Sequence, residues 1–88
     1  MGESFLHLDE ALRNTKNKTV GVKQTGRALE KGQVKRLYIA QDTEPHILRP
    51  VLEWCSEHEV EQVRVPTMKE LGHACGIAVG TAVAAVLK

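Results

Sequence analysis

Aromatic residues are almost missing from this 88-residue chain: Phe5, Tyr38 and Trp54 are the whole set. A protein that stacks successive bases of a single nucleic-acid strand needs several such rings on one surface, so three scattered ones argue against that class. Long apolar runs are missing too. The longest, Gly76–Leu87 (GIAVGTAVAAVL), falls short of the roughly 18 residues that span a bilayer, and reads as a loop feeding a buried strand. Two cysteines occur, Cys55 and Cys75, in no CxxC pattern. They offer no disulfide framework and favour a reduced cytosolic state. A Walker-type loop, a dinucleotide fingerprint and a paired-carboxylate signature are all absent, as are internal repeats and low-complexity tracts. No apolar signal core opens the chain, and Leu6 stands where a myristoylation signal has Ser or Thr. The expected compartment is therefore the cytoplasm, with no membrane partner.

What is present is an ordinary globular composition, 42% hydrophobic and 26% charged, with an uneven layout. The length fits one core, so a single domain is expected over residues 4–88 behind a tail of residues 1–3. The net charge of +1 conceals a segregation: Arg13 to Arg36 holds eight Lys or Arg against Glu30 alone, a local balance of +7. Acids prevail on both sides of it. A clustered basic segment is the footprint of a polyanion site, because phosphate neutralisation releases counterions wherever cations gather. A solvated lysine face would leave the same trace.

Local signals predict alternating helices and strands. Ser4 can cap a first helix with Phe5, Leu8 and Leu12 on one stripe, ended by the polar run 14–17. A short extended segment, Thr19–Val22, leads into a helix from about Gln24 to Lys31, with Gly21 permitting the turn and Gly32 closing the helix. Leu37–Ala40 (LYIA) reads as a strand buried on both faces. Asp42, Thr43 and Pro45 mark the start of a helix whose apolar stripe is Ile47, Leu48, Val51, Leu52 and Cys55. A strand over Gln62–Val65 is broken by Pro66, a Thr67–Glu70 capping box opens a helix to about Ala74, and Val83–Leu87 is the last strand. The expected fold is α/β, a three-layer αβα sandwich around a small mixed four-stranded sheet, with function on the loops.

Two of those loops carry a resemblance. Gly21-Val-Lys23-Gln24-Thr-Gly-Arg27, then Lys31-Gly32, Asp42-Thr-Glu-Pro45 and Leu71-Gly-His-Ala-Cys-Gly-Ile77 stand in order along the chain. Together they resemble the kink-turn-binding ribosomal protein superfamily, of the L-seven-Ae and L-thirty-e type. Nearly the whole chain is covered, and four motifs in register are far more specific than one. The resemblance implies a non-enzymatic protein without cofactor, expected to be monomeric. Its ligand would be a kink-turn, an RNA helix bent at an internal loop beside tandem sheared G·A pairs, with the ribosome or another ribonucleoprotein particle as setting.

On that reading Gly21 lets the backbone of a helix N-terminus approach the RNA, where exposed N–H groups favour anions. Lys23 and Gln24 would meet guanine edges, while Arg27 and Lys31, at four-residue steps on the same face, would hold phosphates. Ile77, Ala78 and Val79 form the loop that would cover unstacked nucleotides. Many members of the superfamily have Asn-Glu where this chain has Lys23-Gln24, so charge-assisted acceptance from guanine amino groups is lost.

Rival readings come from other classes. A protein-interaction module would dock an acidic partner on the basic face. Cys55, His58, His73 and Cys75 make a conceivable zinc set, but their cysteines are not paired from turns as in structural sites. A thiol enzyme built on Cys75 would need a base within reach, and His73, two residues away on a helix, points elsewhere.

Overall fold

The computed structural model describes residues 16–88. The helix expected from Ser4 to Leu12 lies outside them, as does Arg13. The described chain runs β1 (Lys18–Val20), α1 (Val22–Glu30), β2 (Val34–Ala40), α2 (Pro45–Glu57), β3 (Glu61–Val65), α3 (Met68–Ala74) and β4 (Val83–Leu87). The four strands form one sheet in the order β1-β4-β2-β3. Pairs β1–β4 and β4–β2 are antiparallel, whereas β2–β3 is parallel, so the sheet is mixed.

Alternation along the central strands divides the core into two layers. Leu37 and Ile39 of β2, with Val83 and Ala85 of β4, face Ala28 and Leu29 of α1 and Val51 and Cys55 of α2. Tyr38, Ala40, Ala84 and Val65 face the other way, against Leu71, Ala74 and Cys75. Helices thus cover both faces, the αβα sandwich that the sequence predicts. The continuous apolar run of β2 is explained by this double burial. No helix among the described residues is long and apolar enough to cross a membrane.

Local boundaries follow from backbone chemistry. Gly32, at φ 67°, ends α1 by donating to Leu29 O at 3.0 Å, and Gln33 N–H reaches Ala28 O at 2.9 Å. This double bond is the Schellman arrangement, and a glycine adopts its left-handed residue without penalty. At the other end Gly21, at φ 94°, turns the chain so abruptly that α1 begins at Val22. The helix therefore starts two residues before the predicted Gln24, and β1 ends at Val20 instead of continuing to Val22.

Thr67 caps α3, its hydroxyl accepting from Glu70 N–H at 3.1 Å. The reciprocal half of the box is not made: Glu70 Oε2 is buried with no hydrogen-bond partner. Asp42 also differs from expectation. Although Pro45 opens α2 as predicted, the Asp42 carboxylate accepts from Met68 N–H at 2.8 Å and so caps α3, not its own neighbour.

Candidate nucleic-acid interface

Strands β1, β2 and β3 run the same way and β4 opposite, so the ends of the first three and the beginning of the fourth share one edge of the sandwich. Backbone bonds fasten the connections there. Gly21 N–H donates to Val83 O at 2.8 Å, Ala40 N–H to Ala82 O at 2.9 Å, and Thr81 N–H to Met68 O at 3.1 Å. The turn into α1 and the segment entering β4 are therefore direct neighbours, although about 60 residues separate them in the chain.

α1 presents the predicted polar residues. Lys23, Gln24, Arg27 and Lys31 are all exposed, while Thr25, Gly26, Ala28 and Leu29 are buried. Lys23, Arg27 and Lys31 make no ion pair with any described residue. The helix opening has no side-chain cap and no acid in its first turn. Its first N–H groups thus have no side-chain cap among the described residues, and the dipole adds to the positive charge of Lys23. Gln24 is partly engaged: its Oε1 accepts from Val20 N–H at 3.3 Å, which turns the NH2 donors, not the oxygen, toward solvent. Beneath, the buried hydroxyls of Thr19 and Thr25 lie 2.9 Å apart and pin β1 to α1.

The second segment is fixed by α3. Gly76, at φ 78°, ends that helix, and Ile77 N–H donates to Gly72 O at 3.1 Å. From there the chain runs back along α3 so closely that a Cβ on Gly72 would collide with the Val79 carbonyl, and one on Gly80 would press on the Met68 backbone at 3.1 Å. The three apolar residues therefore have different surroundings. Ile77 is half-buried against the Tyr38–Leu71 cluster, Ala78 is exposed, and Val79 is 70% exposed. An exposed valine on a braced backbone is an apolar surface held out to solvent.

The predicted residues thus form two groups, Gly21 to Lys31 along α1 and Ile77 to Val79 on the loop after α3, and the Gly21–Val83 bond ties the first group to the start of β4, the strand that follows that loop. Lys31 lies two turns, about 12 Å, along the helix from Lys23. Other positively charged residues of the segment take different roles. Arg36 pairs with Glu61 at 3.3 Å across β2 and β3, and its pKa is raised through Tyr38 first and Glu61 second. Sequence reasoning placed Asp42 at the start of α2 and gave Gly72 and Lys18 no role of their own. Asp42 and Lys18 act through partners 26 and 57 residues away, and Gly72 through the return of Val79 over α3, none of which local pattern signals.

The cysteines serve the core. Cys55 donates to Val60 O at 3.1 Å on the α1–α2 side of the sheet, and Cys75 packs on the α3 side. Burial pushes both thiols up, which is the reverse of what a thiolate nucleophile needs. Among the described residues no three His, Cys, Asp or Glu side chains gather to hold a metal.

Comparison with known proteins identifies the family. The profile of the ribosomal protein L7Ae/L30e/S12e/Gadd45 family matches residues 4–88. The chain belongs to that family. A relative named RNA-binding protein, from Caldanaerobacter subterraneus subsp. tengcongensis, is 46% identical over 68 residues, 77% of this chain and 83% of its own. RNA-binding protein YbxF from Geobacillus stearothermophilus is 39% identical over 69 residues, covering 78% and 84%. Among solved structures, the Giardia lamblia 15.5kD RNA binding protein superposes with a TM-score of 0.86 at 24% identity, over 99% of this chain and 73% of that one. At that identity the likeness establishes the L7Ae-type fold alone.

Proposed function

We propose that this L7Ae-family protein binds RNA without catalysing a reaction, and that its target is a kink-turn whose bent form it stabilises. The observation that carries the reading is the uncapped, acid-free opening of α1, tied by the Gly21–Val83 bond to the strand that the braced apolar loop leads into. Relatives named as RNA-binding proteins support the class of ligand. Phosphates would lie against Arg27 and Lys31, fixing orientation without reading sequence. Lys23 and the outward NH2 of Gln24 donate, so their partners on a guanine are O6 and N7. Ala78 and Val79 would cover bases that have left the stack, with Ile77 anchoring the loop to the core.

Free RNA of this kind samples extended and kinked forms. A protein that binds only the kinked form shifts the population by its differential affinity. Recognition then rests on shape and a few guanine contacts, as is general for structured RNA. A cytoplasmic monomer acting on a ribosomal or other ribonucleoprotein RNA fits the same reading.

Titration into a kink-turn RNA labelled at both ends, with energy transfer as readout, tests it. Transfer should rise on binding to the intact RNA and stay flat for one with its G·A pairs replaced. Equal affinity for both RNAs would reject kink-turn recognition. Failure of an excess of the intact RNA to compete with an acidic protein partner would favour a protein-docking role for the basic face.

A further inference from the structure

The three residues that lead from the apolar loop into β4 are bonded to three different elements. Thr81 N–H donates to Met68 O at 3.1 Å at the start of α3, Ala82 O accepts from Ala40 N–H at 2.9 Å at the end of β2, and Val83 O accepts from Gly21 N–H at 2.8 Å at the opening of α1. Thr81 adds a contact of its own. The residue is buried, 7% exposed, and its hydroxyl donates to the same Val83 O at 2.9 Å. A carbonyl oxygen has two lone pairs and holds both donors at once. Val83 O is thus bonded both to the glycine before the cationic helix and to the residue that ends the apolar loop. Met68, on which Thr81 rests, is itself held through its N–H by Asp42 at 2.8 Å. The hydroxyl is not needed to satisfy the carbonyl, because Gly21 already does so. What it adds is a bridge across Ala82, which fixes the backbone between Thr81 and Val83 and with it the direction in which the loop meets β4.

We propose that Thr81 is a positioning residue for RNA recognition: through Val83 O it keeps the loop of Ile77 to Val79 in register with Lys23 and Gln24 at the helix opening. The inference rests on the kink-turn reading and deepens it. Thr81 is buried and touches no ligand. Recognition by shape needs the two groups at a fixed separation before the RNA arrives, because a loop that must be ordered on binding subtracts that entropy from the affinity. The phosphate contacts assigned to Arg27 and Lys31 lie along α1 and do not depend on this bridge.

Thr81→Val keeps the branched shape, removes the hydroxyl and leaves Val83 O bonded to Gly21. At a temperature where the variant is folded, its ratio of affinities for intact over G·A-replaced kink-turn RNA should fall by about three- to tenfold, the worth of one neutral hydrogen bond. The dependence of log affinity on log salt should keep its wild-type slope, since no cation has moved. Thr81→Ser should restore the ratio. Amide exchange in the free protein supplies a second readout: Gly21 and Thr81 should lose protection in Thr81→Val while α2 keeps its own. An unchanged ratio, or equal weakening toward both RNAs, overturns the assignment and leaves the α1 interface standing. Unchanged protection at Gly21 and Thr81 overturns it as well. Wild-type protein that binds the two RNAs equally overturns the kink-turn reading, and this inference with it.

Discussion

The carbonyl of Val79 occupies the space that a side chain on Gly72 would need. This contact holds the loop against α3, and it joins a helix interior to the most exposed of the large apolar side chains among the described residues. Substituting Gly72→Ala removes the glycine's conformational cost in a helix, roughly 1 kcal/mol. The methyl, however, meets backbone, which cannot rotate away. Overpacking of about 1–3 kcal/mol or more should therefore win. The variant is expected to melt earlier and to lose RNA affinity along with loop position. Wild-type melting together with wild-type affinity would show that the loop is free to move off α3.

Gly26 poses the same conflict with a softer neighbour. A Cβ there would lie 2.7 Å from the ring of Trp54, a half-buried side chain on α2. Gly26→Ala should cost about 1 kcal/mol net, with the tryptophan emission shifting as the ring moves. In a Trp54→Leu background the same substitution should become neutral or stabilising. A double-mutant cycle with no coupling would refute the contact.

Gln24 and Arg27 sit one turn apart but should fail in different ways. Gln24→Ala removes a guanine donor and is expected to cost about 1–3 kcal/mol of affinity, mostly for RNAs with intact G·A pairs. Arg27→Ala should weaken binding to all RNAs and flatten the salt dependence by about one unit. If Gln24→Ala weakens every RNA alike, the side chain serves only its bond to Val20.

The two thiols make a prediction about alkaline stability. Burial raises Cys55 and Cys75 in the folded state, with the charge of Lys18 opposing this at Cys75. The unfolded chain releases these protons first. Their contribution is thus fully present below about pH 8.5 and is lost as the pH rises through the folded values. Urea unfolding between pH 7 and 10 should show stability falling at the alkaline end. The fall should shrink in a Cys55→Ala, Cys75→Ala variant. An identical decline in that variant would assign the effect to other groups.

Most elements were readable because their causes are local. The apolar run Leu37–Ala40, the left-handed Gly32 and the Thr67 cap each leave their signal within a few residues of sequence. Boundaries slipped where a single dihedral decided them, as at Gly21. Asp42 was assigned to the nearest helix because sequence places it there, although its carboxylate finds Met68. The candidate site was legible as two segments, through the motifs around Gly21 and Leu71, but the bond that ties Gly21 to Val83 was not.

By itself the sequence determined the order of helices and strands, the excess of cations on one segment and the family to which those motifs belong. Periodicity, turn chemistry and charge all act at short range along the chain. Only the tertiary structure decided that β4 lies between β1 and β2, and with it that Gly21 meets Val83, Lys18 meets Cys75 and Val79 returns over Gly72. Those contacts depend on the packing of whole layers, which no local pattern specifies.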